Sequence, residues 1–495
     1  MRTLTLAQSL RERGCEVSFV ARRHAGNHIA TVQGQGFKVV GLPAPQLAIP
    51  LPPALPHADW VGATQERDAR ETTAAIRELG ARPDWLIVDH YGLDERWEAH
   101  LRSSVQRIFV IDDLADRRHD CDLLLDQNLV EGFETRYLGK LREECPCMLG
   151  PRYALLQPDY GRLHDQVQPR AGSIRRLFIY FGSADRPELT ELALHAVVDL
   201  GGSNIEADAV VSGEAPAAEA VRTRFARHPN VRVHGPLPSL APLMASADLA
   251  IGAAGSNSWE RMCLGLPAVV ITLAENQRAV ARALDKRGFI RWLGDADKVG
   301  LAELQSALAE RIKRGSDEAS ARASYAVVDG RGVKRVGAAL RVSASMRLAV
   351  RRAAAADEAL LLEWANDPVT RRNSFARHQI GAAEHHQWLA GRLHAQDRCL
   401  LLIVDSDDGV PLGMVRFDRT GRDWTLNYSI AAPYRGRGLA RPTLECALLQ
   451  LGASDARGVR ARVMQANAAS HRVFRRLGFE VVSEAGGAVE YRRAL

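Results

Sequence analysis

Tyr434-Arg435-Gly436-Arg437-Gly438-Leu439-Ala440 stands between a strand-like run, Trp424–Ile430, and a helical one, Pro442–Leu451. Two glycines one residue apart let successive backbone N–H groups turn into one concavity, and the helix that follows adds its positive end there. A pyrophosphate suits such a place. A glycine-rich turn is also an ordinary strand-to-helix connection, so the weight falls on its surroundings.

Upstream, after MRLAVRRA at Met346, the pattern predicts helices at Asp357–Asn366 and Ala382–His394. Strands follow at Cys399–Val404, Pro411–Phe417 and Trp424–Ile430. Downstream come a strand at Val459–Val463, the phrase Asn467-Ala468-Ala469-Ser470, and a helix over Ser470–Leu477 that runs into Leu477-Gly478-Phe479-Glu480. This is a mixed α/β unit, 347–495.

The order strand, R-G-x-G-x-A, helix, strand, N-x-x-S, helix, L-G-F-E resembles the GNAT acetyltransferase superfamily across the whole unit. The resemblance implies that Arg435, Gly436, Arg437, Gly438, Leu439 and Ala440 hold the pyrophosphate of acetyl-CoA. It also implies that Asn427–Ile430 offers a backbone N–H to the thioester carbonyl and that Asn467 contacts the cofactor arm. One position departs from the pattern. Many relatives carry a tyrosine seven residues after the asparagine, where its hydroxyl protonates the leaving thiolate; here Phe474 stands there. A water or another side chain must serve, or the thiolate leaves unassisted.

The attacking amine needs a base, and His385, beside His386 after Glu384, is the candidate by its ordinary pKa. Both are equally read as solvated helix residues. Trp364-Ala365-Asn366-Asp367-Pro368, Arg371, Ser374-Phe375, Glu384-His385 and Trp388-Leu389 resemble acetyltransferases that modify amino groups of nucleotide-linked deoxysugars. That likeness implies a UDP-linked amino sugar as acceptor.

The first 340 residues have another rhythm. Apolar runs at Glu16–Val20, Phe37–Leu42, Trp85–Val88 and Ile108–Ile111 alternate with amphipathic stretches such as Ala63–Gly80, which predicts a parallel sheet under helices. A proline-rich stretch, Leu42–Pro56, reads as a long surface loop. A second set, Leu177–Phe181, Ala207–Val211, Val231–His234, Leu249–Ile251 and Ala268–Leu273, repeats the pattern. Two lobes are expected, 1–160 and 172–340, then a short linker, 341–346.

In the second lobe, Gly252-Ala253-Ala254-Gly255-Ser256-Asn257-Ser258-Trp259-Glu260 directly follows a strand. Small residues permit a tight turn whose N–H groups can receive a diphosphate. Glu260 can accept two ribose hydroxyls, although a carboxylate in a first helical turn is also plain dipole compensation. Asn276 and Gln277, after the next strand, suit sugar hydroxyls or amides and are also common turn residues.

These pieces resemble the UDP-sugar-binding branch of the glycosyltransferase-B fold. Val88–Asp94, Ile111–Leu114, Asp122–Asn128, Leu149–Leu156 and Asp329-Gly330-Arg331-Gly332 narrow the likeness to the UDP-sugar hydrolases of pseudaminic acid synthesis. That resemblance implies water attack at the anomeric carbon with loss of UDP. It places Tyr91 at the sugar, Gly182 and Ser183 at a phosphate loop, and Gly255, Ser256, Asn257, Ser258, Glu260, Asn276 and Gln277 around the nucleotide sugar. A doubly wound lobe opens on a strand and a glycine-rich loop, whereas this chain opens inside the first helix. The histidine that serves as base in the family falls just ahead of Met1. Either an internal methionine stands as the first residue, or the half is shortened and acts as a scaffold. His24, His28 and His90 are the remaining histidines to weigh.

Composition fits this picture. The 495 residues are 46% apolar and 25% charged, with a net charge of +6 carried mostly by scattered arginines. Scattered cations argue against a nucleic-acid surface, and arginine suits phosphate-bearing substrates. The seven cysteines include one close pair, Cys145 and Cys147, too few for a tetrahedral zinc site. No metal is expected, no membrane span is read, and the cytoplasm is the default location.

The expectation is a glycosyltransferase-B-like unit lacking its first strand, followed by an acetyltransferase. Two consecutive reactions are expected: N-acetylation of a UDP-4-amino-trideoxy sugar from acetyl-CoA, then release of UDP from the diacetamido product. Two alternatives stay open, an acetyltransferase joined to a UDP-sugar-binding module, or a UDP-sugar glycosyltransferase.

Overall fold

The computed structural model describes residues 2–45, 55–80, 82–182, 186–200, 204–212, 216–395, 397–452 and 456–495. The chain divides into two compact units, Met1–Val336 and Gly337–Leu495. Among the described residues no helix is long and apolar enough to cross a membrane.

In the first unit, β1 (Ser18–Arg22) and β2 (Lys38–Leu42) pair in parallel as a sheet of their own. A second parallel sheet holds β3 (Trp85–Val88), β4 (Arg107–Ile111), β5 (Leu123–Asp126) and β6 (Cys147–Leu149), in that order. The helix Gln65–Glu78 begins where the Thr64 hydroxyl accepts the Arg67 N–H, and it buries Ala69, Thr72, Ala75 and Ile76 at helical spacing. Ala69 and Ile76 join Trp97, Leu101, Ile108, Val110 and Leu124 in one core. Burying that face, at about 25 cal/mol per Å² of apolar surface, is what holds a helix of this length on the sheet.

A third sheet holds β7 (Arg176–Tyr180), β8 (Glu206–Val210), β9 (Val231–His234), β10 (Leu249–Gly252), β11 (Ala268–Thr272) and β12 (Ile290–Asp295). Its spatial order is β12-β11-β10-β7-β8-β9, with every pairing parallel. Alternate residues face opposite cores. Leu177 and Ile179 pack with the helices Pro187–Leu200 and Leu301–Arg314, and Phe178, Ala250 and Val270 pack with Ala241–Ser246, Asn257–Cys263 and Glu275–Lys286. Chain order runs outward in one direction from β7 and in the other from β10. The crevice outside the carboxyl ends of those two strands is where such sheets bind ligands.

The second unit holds β13 (Leu348–Arg352), β14 (Cys399–Ser406), β15 (Pro411–Thr420), β16 (Asp423–Ile430), β17 (Gly458–Met464), β18 (Glu480–Ala485) and β19 (Ala488–Ala494). Their spatial order is β13-β14-β15-β16-β17-β19-β18. Every neighbouring pair is antiparallel except β16 and β17. That parallel ladder runs only from Asp423 opposite Gly458 to Leu426 opposite Ala461. Beyond it β16 continues to Ile430 and β17 to Met464 with no ladder between them, which leaves a fork in the sheet.

Six strands, β5, β6, β12, β13, β18 and β19, go beyond those predicted from the sequence. Every residue of β5 is buried, so it shows no alternation to betray a strand. β18 and β19 are joined by Gly486 and Gly487 at φ 59° and 72°, a two-residue hairpin turn whose Gly-Gly signal was legible.

Candidate functional site

The glycine-rich turn follows β16 and opens the helix Ala440–Leu448. Gly436 and Gly438 take φ values of +75° and +80°, a left-handed backbone that other residues adopt only under strain. A Cβ on Gly436 would meet nothing within 4 Å, so that side of the turn is open. The helix carries no side-chain cap and no acidic residue in its first turn. Its first N–H groups are therefore suited to an anion.

The two arginines of the turn, which the sequence reading placed at the pyrophosphate, are both hydrogen-bonded within the protein. Arg435 donates to the Ile430 carbonyl at 2.7 Å, to Asp367 at 2.6 Å and to Thr370 at 3.0 Å. Arg437 donates to the Pro433 carbonyl at 2.5 Å and to the Ala339 carbonyl. Both guanidinium groups brace the turn from within the protein. The groups left to meet a pyrophosphate are backbone N–H, from Gly436 through Leu439 and Ala440. The Arg435–Asp367 pair also ties this turn to Trp364–Pro368, the segment the sequence placed on the acceptor side.

Asn467 caps the helix Ala468–Arg476, its Oδ1 accepting the Ser470 N–H at 3.1 Å. From β16, beside the fork, the Tyr428 hydroxyl lies 2.9 Å from Ser470 Oγ. Phe474 is 2% exposed and packs against Tyr428, Phe479 and Tyr491. Sequence reasoning named the phenylalanine and missed the tyrosine beside it. The signal was the two-residue period of β16, which puts Trp424, Leu426 and Tyr428 on one face.

His385 and His386 part company. His386 is exposed and pairs with Glu358 at 3.0 Å, as a solvated helix residue would. His385 is only 2% exposed, and neither ring nitrogen has a hydrogen-bond partner. Its ring lies 5.2 Å from that of Trp388, and burial pushes its pKa down. A neutral imidazole is the form a base needs, but an acceptor amine would have to enter this enclosed space to use it.

In the first unit, the carboxyl ends of β7, β10 and β11 collect the residues expected at a nucleotide. Gly182 sits after β7 at φ +101°, its carbonyl accepting the Ser212 hydroxyl at 3.0 Å. Ser183 lies outside the described residues. Gly252 lies against β7, where a Cβ would stand 2.2 Å from the Tyr180 carbonyl oxygen. Ser256 precedes the helix Asn257–Cys263 and makes no side-chain cap. Gln277 accepts the Leu273 N–H at 2.9 Å, and its Nε2 faces Gly255. Asn276 is exposed beside it, and Ser258 is buried against Arg261 at 3.1 Å.

Glu260 is the electrostatic feature of this crevice. Burial pushes its carboxyl up to about 7, with Tyr160 and Arg261 opposing, and its Oε2 is enclosed without a partner. An enclosed acceptor with nothing to accept is the kind of group a ligand hydroxyl completes. Glu260→Gln is expected to weaken UDP binding about tenfold, the loss of one charge-assisted hydrogen bond. Calorimetric titration with UDP at pH 8 checks this; unchanged affinity would remove Glu260 from the nucleotide site.

Tyr91 lies beyond β3, in a cluster the sequence did not foresee as a unit. Its hydroxyl donates to Asp113 at 2.7 Å. Arg2 reaches the same carboxylate at 2.5 Å and Asp89 at 2.6 Å, and Thr3 donates to Asp89 at 2.6 Å. Burial, then Asp113, raises the phenol pKa, so Tyr91 stays protonated. Its ring neighbours those of His57 and Trp60. His90 accepts the Gly92 N–H through Nδ1 at 3.0 Å, burial lowers its pKa, and it feels His24 electrostatically. His28 is exposed.

Comparison with known proteins accords with this geometry. Residues 347–480 match the acetyltransferase (GNAT) domain family, and residues 176–329 match the glycosyltransferase family 28 C-terminal domain. The spore coat polysaccharide biosynthesis protein SpsG of Bacillus subtilis is 29% identical over 201 residues, 39% of this chain. The match spans only 57% of SpsG itself. The UDP-2,4-diacetamido-2,4,6-trideoxy-beta-L-altropyranose hydrolase of Campylobacter jejuni is 25% identical over 206 residues, 41% of this chain and 72% of the relative. An uncharacterized protein of Methanocaldococcus jannaschii is 18% identical over 490 residues, 97% of this chain and 93% of its own. The chain thus joins a half similar to sugar-nucleotide hydrolases, with a glycosyltransferase family 28 type of C-terminal lobe, to a GNAT acetyltransferase domain.

Proposed function

We propose that the protein carries out two consecutive reactions on one nucleotide sugar. The second unit moves the acetyl group of acetyl-CoA to the 4-amino group of a UDP-linked trideoxy amino sugar. The first unit then hydrolyses the product, breaking the bond between the anomeric carbon and the diphosphate and releasing UDP. The single observation that supports this best is the presence, in one chain, of two phosphate-type turns at strand-to-helix junctions. One lies between Gly436 and Ala440 beside a forked sheet; the other lies at Gly252–Glu260, on the switch point of a parallel sheet.

Each proposed role follows from chemistry already described. In the second unit the N–H groups after Gly436 take the pyrophosphate, and the unladdered edge of Asn427–Ile430 takes the thioester carbonyl. Arg435 and Arg437 keep that turn in shape. In the first unit the turn at Gly255–Ser258 takes the diphosphate, Glu260 the ribose hydroxyls, and Gly182 and Gln277 flank them. Tyr91, kept protonated by burial and by Asp113, faces the sugar as a hydrogen-bond donor.

The deciding experiment gives the purified chain acetyl-CoA and UDP-2-acetamido-4-amino-2,4,6-trideoxy sugar, then follows CoA thiol and UDP separately. Both should appear, UDP after a lag that shortens as acetyl-CoA is raised. UDP release without acetyl-CoA would undo the proposed order. Acetylation with no UDP would reduce the first unit to a binding module.

A further inference from the structure

A thioester that gives up its acetyl group must shed a thiolate, and something must hand that sulfur a proton or let it leave charged. At residue 474, about two turns past the Asn467 cap, the side chain is a phenyl ring with no proton to give. The fork offers another group. β16 and β17 part after Leu426 and Ala461, and Tyr428 is the next residue on the same face of β16. Its ring meets Phe474 edge-on at 5.9 Å, and its hydroxyl reaches Ser470 Oγ at 2.9 Å. The phenol therefore stands on the strand that borders the fork, two residues past the last ladder pair, with its hydroxyl against the first turn of the helix that Asn467 caps.

We propose that the Tyr428 hydroxyl is the proton donor to the departing sulfur of the thioester. The inference rests on the acetyl-transfer reading above. The neutral amine attacks the carbonyl carbon, the carbon–sulfur bond breaks, and its electron pair stays on sulfur, which takes the Tyr428 proton. The amine nitrogen gives its surplus proton to solvent. The phenolate regains one from solvent as CoA leaves, so no oxidant or further reactant is needed. Burial raises the phenol pKa, so the group holds its proton until the sulfur develops charge. Ser470 orients the hydroxyl from the helix side. The proton source has in effect moved from the helix to the neighbouring strand, while serving the same fork.

The test uses the full chain and two readouts on Tyr428→Phe. Steady-state release of CoA thiol, with the UDP-4-amino sugar as acceptor, should fall about 100-fold in kcat with KM for acetyl-CoA little changed. The thiol of bound CoA, titrated by its thiolate ultraviolet absorbance, should ionise about one pH unit higher than in the wild type, because a donor to the thiolate has gone. Ser470→Ala keeps the phenol and should lose less than about tenfold. A thiol titration unchanged in Tyr428→Phe would overturn the proposal. So would Ser470→Ala matching that variant in both readouts, since the contact and not the phenol would then matter. If the wild type binds CoA but acetylates no UDP-amino sugar, the acceptor assignment fails and the thiol titration still decides Tyr428.

Discussion

Gly438→Val should raise KM for acetyl-CoA by roughly two orders of magnitude while leaving UDP binding by the first unit untouched. Gly438 holds φ +80°, and a Cβ there would stand 3.2 Å from Ala344 Cβ. A β-branched residue meets both obstacles, the left-handed backbone and the tight contact. Strain of this kind costs on the order of 1–3 kcal/mol, so the turn escapes it by rotating its peptide planes. Rotation turns the N–H groups of Leu439 and Ala440 away from the anion. Each charge-assisted hydrogen bond lost is about 1.5–3 kcal/mol, and two of them at the lower end of that range amount to about 100-fold in affinity. Steady-state kinetics with acetyl-CoA varied is the measurement. A KM within threefold of wild type would show that the turn does not carry the pyrophosphate. Arg437→Ala makes the useful contrast. Its guanidinium holds protein carbonyls and touches no ligand in this account, so its loss should loosen the turn, with a KM rise of about tenfold or less.

How much of this was legible in the sequence divides along physical lines. Glycine positions were, because a left-handed turn at Gly436 and Gly438 has one cheap chemical solution. Helices such as Ala382–His394 were as well, since an amphipathic period survives without tertiary context. Strand β5 was not, because a strand buried on both faces has lost the alternation that identifies strands. Site chemistry was half legible. The sequence put Arg435 through Ala440 together at one turn, but that the guanidinium groups of Arg435 and Arg437 hydrogen-bond within the protein is visible only in the structure, because no local pattern records where a guanidinium points. The side chains of Tyr428 and Asp113 lay within stretches the sequence singled out but received no role of their own, for the same reason. Their importance comes from partners 42 and 22 residues away in the chain, a separation no local pattern records. The histidine pair shows the limit most sharply. His385 and His386 are adjacent, share a helix, and end in opposite environments.

The largest effect on stability is expected from a histidine that no functional argument touches. His119 is 1% exposed, with Nδ1 2.7 Å from Glu98 and Nε2 3.9 Å from Asp112. Glu98 is fully enclosed, and its other oxygen accepts the Asp120 N–H at 2.5 Å. Arg117 sits 3.0 Å from Asp112. Burial pulls the His119 pKa down, but the Asp112 carboxylate beside it and the hydrogen bond and charge of Glu98 more than reverse this and hold the imidazolium at about 9. An unfolded histidine titrates near 6.5, so the charged form is favoured by folding. A raised pKa of this kind contributes stability in full below about pH 6.5, and that contribution is lost as pH rises through about 9. The gap corresponds to about 3 kcal/mol. His119→Ala removes one partner of a buried ion pair and leaves the Glu98 charge without it, a change that typically costs about 3–5 kcal/mol. Urea unfolding of the first unit should therefore show wild-type stability declining from pH 6.5 to 9.5, with the variant lower throughout and flat across that window. A variant that keeps the wild-type slope would mean the titration belongs to another group. Asp112, which the same contacts hold below the usual carboxylate range, loses its contribution at the acid end instead, so the two windows do not overlap. Of this network only Asp112 stands at the carboxyl end of β4, next in sequence to Asp113, the acceptor of the Tyr91 hydroxyl.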